Sequence, residues 1–221
     1  MSSVVGRPHP AASLKPTPTI VSMKKPFRVL LSVTNKTGLV PFATRLTHIG
    51  GTLVSTSGTA KALRDAGLER TLVEHVTGFP EMLNGRVRTL HPNIFGGIIA
   101  DQSDPEHMET LAAHNIQIFD MVVVNLYLFA AEPSIEQIDV GGPSLIRAAA
   151  KNYRSVIVVT DPHDYDLVAD FLEDGKPIDP QTRLRLATKA FEMTAAYDQA
   201  IARHFTSCVE RCIEPAAGHK H

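Results

Sequence analysis

At 221 residues the chain is long enough for one good-sized domain whose core needs no disulfide staple. Lys+Arg 22 against Asp+Glu 23 leaves a net charge of −1, with like charges only in short doublets, so nothing in it asks for nucleic acid or an anionic membrane surface. The longest apolar runs, such as residues 121–124, are far too short to span a bilayer, and Cys208 and Cys212 lack a second pair or histidines at zinc-ligand spacing. The expectation is a soluble cytoplasmic protein with reduced thiols and no metal.

Residues 1–25 carry Pro8, Pro10, Pro16 and Pro18, no Asp or Glu, and no apolar core of a signal peptide, and read as a disordered N-terminal extension. Its composition faintly resembles a transit peptide but lacks an amphipathic arginine-rich helix, and a translation start at Met23 is the simpler account. Residues 28–33 are a branched apolar run, as expected of a strand buried on both faces. The polar turn 34–38 leads into a helical pattern of Leu39, Phe42, Leu46 and Ile49, closed by Gly50 and Gly51. The pattern repeats with 52–55 as strand, 56–59 as turn and 60–66 as helix, which predicts right-handed crossovers and a parallel sheet. Residues 71–76 read as a third strand, and 77–97 as a long irregular loop of the kind that usually carries function. A helix over 105–115 and a central strand over 121–126 follow. Residues 155–160 form a strand, 165–172 a helix, and 180 to about 205 one or two helices packed on the sheet.

The stretch from Ile138 to Asn152 organises the rest. Gly141 and Gly142 free the backbone and Pro143 is pre-set for a first helical turn, so a helix starts here. Its apolar residues go nearly all round, yet Ser144, Arg147 and Lys151 share one face. The Gly-Gly turn presents unpaired N–H groups at a positive dipole end, suited to an anion or a developing negative charge, and Asp139 stands just before it. Arg147 and Lys151 read equally as part of such an anion site or, more plainly, as surface charges or partners of structural carboxylates.

In an open parallel sheet, ligands bind beyond the carboxyl ends of the strands. Ser32, Thr34, Lys36 and Thr37 follow the first strand, and Thr56, Ser57, Gly58 and Thr59 the second. Together their hydroxyls, N–H groups and one lysine suit a phosphate, although either cluster alone is ordinary capping chemistry. Neither is a Walker loop or a dinucleotide fingerprint. Arg86 and Arg88 alternate about Val87 and lean to the same side if the segment is extended, toward a phosphate or carboxamide oxygen or simply into solvent. His91, before Pro92, reads as a loop residue. Asn125 and Tyr127 put an amide and a phenol at the end of the 121–126 strand, although a tyrosine there is as often half-buried structure.

The motifs Ser32-Val33-Thr34-Asn35-Lys36-Thr37-Gly38, Ser57-Gly58-Thr59-Ala60-Lys61, Thr77-Gly78-Phe79-Pro80-Glu81-Met82, Gly85-Arg86-Val87-Arg88-Thr89-Leu90-His91-Pro92, Asn125-Leu126-Tyr127 and the run from Gln137 to Asn152 closely resemble the IMP cyclohydrolase domain. That domain is the N-terminal half of the bifunctional enzyme that also carries AICAR transformylase. The match keeps one order over residues 26–205, leaving 206–221 as a tail with the transformylase half absent. It implies the methylglyoxal-synthase-like fold, a three-layer α/β sandwich with a mostly parallel sheet. It also implies a homodimer, with a separate transformylase as a further partner. The implied reaction is ring closure of formyl-AICAR (FAICAR) to IMP, the last step of de novo purine biosynthesis: the carboxamide nitrogen attacks the formyl carbon and water leaves, without cofactor or metal.

Carried over by position, Ser32, Lys36, Thr37, Thr59 and Arg86 would hold the phosphate, with Thr34, Thr56, Gly58 and Thr89 lining the same substrate site. Asp139 paired with Lys151 would handle the proton, and Tyr127, Asn125, Gly141 and Gly142 would face the developing charge. The family's catalytic lysine is Arg88 here, which keeps the charge but is planar and cannot give up its proton. Ser57 replaces a glycine of the second turn and Leu128 a proline. Two readings stay open: a cyclohydrolase, or a non-catalytic or regulatory purine-nucleotide-binding module in which Arg88 has ended turnover. A methylglyoxal synthase would share the fold and the phosphate cradle, but its own catalytic motif is missing.

Overall fold

The computed structural model describes residues 26–83, 87–127, 129 and 134–213. The expected N-terminal extension, Arg86, Leu128 and the end of the chain lie outside them. Five strands form one parallel sheet in the order β3-β2-β1-β4-β5: β1 (Phe27–Ser32), β2 (Gly51–Ser55), β3 (Thr71–Leu72), β4 (Met121–Val124) and β5 (Ile157–Val159). The middle place belongs to β1, whose Val29, Leu30 and Leu31 are fully buried, and not to the 121–126 strand, which lies beside it as β4. Both are continuous apolar runs because helices cover both faces of the sheet.

On one face α1 (Leu39–His48) packs against α2 (Ser57–Asp65) and α7 (Tyr165–Glu173). On the other, α6 (Gly141–Lys151) packs against α4 (Pro92–Ile99) and α8 (Pro180–Ile213). The chain moves from β1 to β2 in one direction and from β4 to β5 in the other, so right-handed crossovers place their helices on opposite faces. Three layers result, as the α/β sandwich reading requires.

Two expectations fail for local reasons. Only Thr71 and Leu72 of the third strand pair with β2; Val73–Thr77 turn into a short helix, α3, because a brief apolar run fits either state and tertiary burial of Val73 decides. The long loop contains α4, capped by the His91 ring accepting from the Asn93 N–H, with Pro92 in its first turn. Gly97 looks like a helix breaker, but it is there for packing: a Cβ would run into the Gln117 carbonyl and the Phe119 ring. The remaining helices are α5 (Pro105–Ala113), capped by Asp104, and α8, a single helix of 34 residues, about 51 Å long. Since α8 runs to Ile213, residues 206–213 continue that helix. Among the described residues no helix is long and apolar enough to cross a membrane.

At the carboxyl end of β5, Lys189 of α8 reaches Asp161 at 2.5 Å and Asp164 at 2.7 Å, tying the longest helix to the start of α7. Burial pushes the Asp161 carboxyl up, but Lys189 and the His163 N–H and ring outweigh it and hold it well below the usual range. Burial lowers the Lys189 ammonium, and the two carboxylates more than reverse that. A depressed carboxyl stabilises the fold above its unfolded value of about 4 and ceases to as pH falls through the folded value; a raised ammonium contributes below about 10.4 and ceases to as pH rises. Lys189→Met should therefore cost about 1 kcal/mol at pH 7, discounted for the partial exposure of the pair, and flatten both limbs of stability against pH in thermal unfolding. An acid limb that stays unchanged would place the titration elsewhere.

Candidate active site

The strand order reverses between β1 and β4, so the segments leaving these strands part and open a crevice at the carboxyl edge of the sheet. Asn125, directly after β4 and 5% exposed, forms its floor. Its Oδ1 accepts from the Thr34 N–H (2.7 Å), the Asn35 N–H (3.0 Å) and the Thr34 hydroxyl (2.9 Å), while Nδ2 donates to the Asn35 carbonyl (2.9 Å). Thr59, 1% exposed, accepts from the Val33 N–H at 3.0 Å and donates to the Val33 carbonyl at 3.3 Å. Thr56 donates to the Ser32 hydroxyl at 3.1 Å. These side chains brace the β1 turn and the start of α2. What reaches the crevice is backbone: the first N–H groups of α2, which have no carbonyl a turn earlier to bond, and Gly58, beyond which a Cβ would meet nothing within 4 Å. Lys36 and Thr37 stand exposed beside it.

The second wall is the start of α6. Asp139 Oδ1 accepts from the Gly142 N–H at 3.1 Å, so the carboxylate sits on the positive end of the helix. Its own N–H donates to the Tyr197 hydroxyl at 2.7 Å, which donates in turn to the Gln137 carbonyl at 3.2 Å. Burial pushes the Tyr197 phenol up and keeps it a donor. A Cβ at Gly142 would collide with that carboxylate and with Leu126, while one at Gly141 would lie 3.1 Å from the Thr89 hydroxyl. Residues 88 and 89 thus span the crevice. Thr89 lies against the start of α6. Arg88 Nη2 donates to Glu81 Oε1 at 2.6 Å, and Glu81 Oε2 lies 3.3 Å from the Ser57 hydroxyl at the start of α2.

The profile of the MGS-like domain matches residues 38–163. The chain belongs to the MGS-like domain family. A second profile, that of the AICARFT/IMPCHase bienzyme, matches residues 149–219. This MGS-like domain is similar to the bifunctional purine biosynthesis protein PurH of Listeria monocytogenes serovar 1/2a and of serotype 4b, each 50% identical over 189 residues covering 81% of the chain. It spans 37% of the length of those relatives. It is also similar to the crystal structure of ForH, at 37% identity and a TM-score of 0.74, covering 81% of this chain and 98% of that one.

Most of the residues picked from the sequence gather at this edge of the MGS-like domain. Asn125, Thr56 and Thr59 each hydrogen-bond the scaffold there. Tyr127 is 60% exposed on the rim. The pairing of Asp139 with Lys151 does not form within the chain: Asp139 precedes α6 and Lys151 ends it, about 16 Å away along the helix, and among the described residues no ion pair joins them. Sharing a helix face is not sharing an end. The cationic stripe is the solvent side of α6, with Arg147 exposed and 5.8 Å over the Phe191 ring. Two residues were missed. Tyr197, fifty-eight positions from Asp139, was not singled out in its helix, and Glu81 entered only as one residue of the Thr77–Met82 motif, with no role attached. A groove of about 480 Å³ lined by Arg28, Thr52, His75 and Gln117 lies near the amino ends of β1 and β2, away from the crevice.

The two glycines at the helix starts should respond in opposite senses. Gly142→Ala forces Asp139 or Leu126 aside and should cost about 1–3 kcal/mol, whereas Gly58→Ala, with open space and helical backbone, should be neutral or stabilising by up to about 1 kcal/mol in denaturant unfolding. Equal effects would mean that the Asp139 carboxylate does not occupy the space beside Gly142.

Proposed function

We propose that this MGS-like domain closes the purine ring of formyl-AICAR to give IMP. The observation that carries the reading is the convergence of two helix starts on one crevice, one braced by hydroxyls and the other bearing a carboxylate, linked by Arg88 and Thr89. The likeness to PurH and to the AICARFT/IMPCHase bienzyme supports the choice of a purine ribonucleotide among the anions such a crevice could take.

In this reading the substrate phosphate lies at the start of α2 with Ser32, Lys36 and Thr37, and the base extends toward α6. The carboxamide nitrogen attacks the formyl carbon, Asp139 Oδ2 accepts the amide proton, and the negative charge growing on the formyl oxygen faces the positive end of α6. Once the nitrogen–carbon bond has formed, Asp139 returns that proton to the oxygen, and the hydroxyl then leaves as water with the proton of the nitrogen that carried the formyl group, the C–O bond breaking as the ring C=N bond forms. Arg88 supplies charge and not a proton, because a guanidinium does not deprotonate at working pH. Tyr127, on the rim, remains available as a hydroxyl donor. Lys151 has no part in its own chain's site.

One observation favours the second reading, a nucleotide-binding module without turnover: Arg88 stands where the family's catalytic lysine is expected and is already engaged by Glu81. Ring closure followed by absorbance separates the two. Asp139→Asn should lower kcat by about 100-fold or more while IMP affinity changes less than about threefold, and Arg88→Lys should raise the rate. Tight IMP binding with no turnover in the parent protein would establish the module instead.

A further inference from the structure

Glu81 lies across the place an incoming anion would take. One oxygen accepts from Arg88, and the other is 3.3 Å from the hydroxyl of Ser57, the first residue of α2. A carboxylate that spans a guanidinium and a helix start makes the contacts a bound substrate anion makes. Glu74, from α3, reaches the same Ser57 hydroxyl at 3.2 Å with Oε1, and its Oε2 is buried without a hydrogen-bond partner. Two carboxylates thus share one hydroxyl, and Glu81 alone also holds the guanidinium. A third negative group can settle at the start of α2 only against their repulsion, unless one of them leaves.

Glu74 belongs to a helix, and Val73 beside it is buried in the core. Glu81 belongs to the irregular segment between Pro80 and Leu83, the latter at φ 52°, and its side chain is 35% exposed. Glu81 is therefore the one able to swing out. Arg88 also keeps Nε buried without a partner, so its guanidinium holds a donor in reserve for another acceptor.

We propose that Glu81 is a positioning residue that acts through Arg88. It serves as a built-in counter-anion that holds the guanidinium at the start of α2 in the empty site and is displaced by the phosphate of the ligand. This rests on the reading above that the start of α2 takes that phosphate. The consequence is selectivity: a ligand with a dianionic group can displace Glu81 and gain Arg88, and a neutral one cannot.

Titration calorimetry on the full chain, with inorganic phosphate as one probe and IMP as another, tests it. Glu81→Gln should bind phosphate about three- to tenfold more tightly than the parent protein, and Glu81→Asp should stay within about twofold of it. In an Arg88→Ala background Glu81→Gln should bring no gain, a result that a merely structural role for Glu81 would not produce. Unchanged or weaker phosphate binding in Glu81→Gln, or the same gain without Arg88, overturns the proposal. Phosphate results as expected alongside a protein that neither binds nor cyclises purine nucleotides would remove the cyclohydrolase reading and leave the role of Glu81 standing. Turnover of formyl-AICAR with no response at Glu81 would do the reverse.

Discussion

Everything at the carboxyl edge depends on the Asn125 amide. It sits at the point where strand order reverses, buried beneath the turn that leaves β1, and it makes four hydrogen bonds to residues 34 and 35 across the gap between β1 and β4. A buried amide left unpaired costs free energy, so the turn is held wherever those bonds can form. Without such a bridge the segments after β1 and β4 would have no common reference, since they diverge toward opposite sides of the sheet.

From that fixed turn the rest of the crevice follows by contact. Thr59 grips Val33 through both its N–H and its carbonyl, which sets the start of α2 against the β1 turn. On the far side the Tyr197 hydroxyl holds the backbone at Asp139 and Gln137, and Gly142 leaves room for the carboxylate to turn back onto its own helix. Asn125, Thr56, Thr59 and Tyr197 act as struts, while Lys36, Thr37 and Tyr127 stay exposed at the edge. Backbone dipoles at two helix starts need little reorganisation when charge appears beside them.

The charges divide between the two ends of the sheet. Arg88, Glu81 and Asp139 stand at the carboxyl edge, while the stripe of α6 carries Arg147 and Lys151 along its solvent side. A helix antiparallel to its strands brings only its first turn to a ligand-binding edge. Lys151 ends α6, a helix length away from Asp139, although the two read together in one motif.

The sequence alone determined the alternation of strand and helix, because branched apolar runs buried on both faces and glycine-closed amphipathic segments have few other ways to bury themselves. It also placed the hydroxyl-rich turns, the Gly-Gly helix start and Asp139 at the correct edge, since in a parallel sheet everything that follows a strand lies there. Folding decided the rest. Whether residues 73–77 were strand or helix turned on the burial of Val73, and the need for a glycine at 97 inside a helix came from the close approach of the Gln117 carbonyl. Which polar groups were struts and which were free, that Tyr197 and Glu81 belonged to the site, and that Asp139 and Lys151 stood apart all depend on distances between residues remote along the chain. A pattern of neighbours in sequence carries the face of a helix but not the company its ends keep.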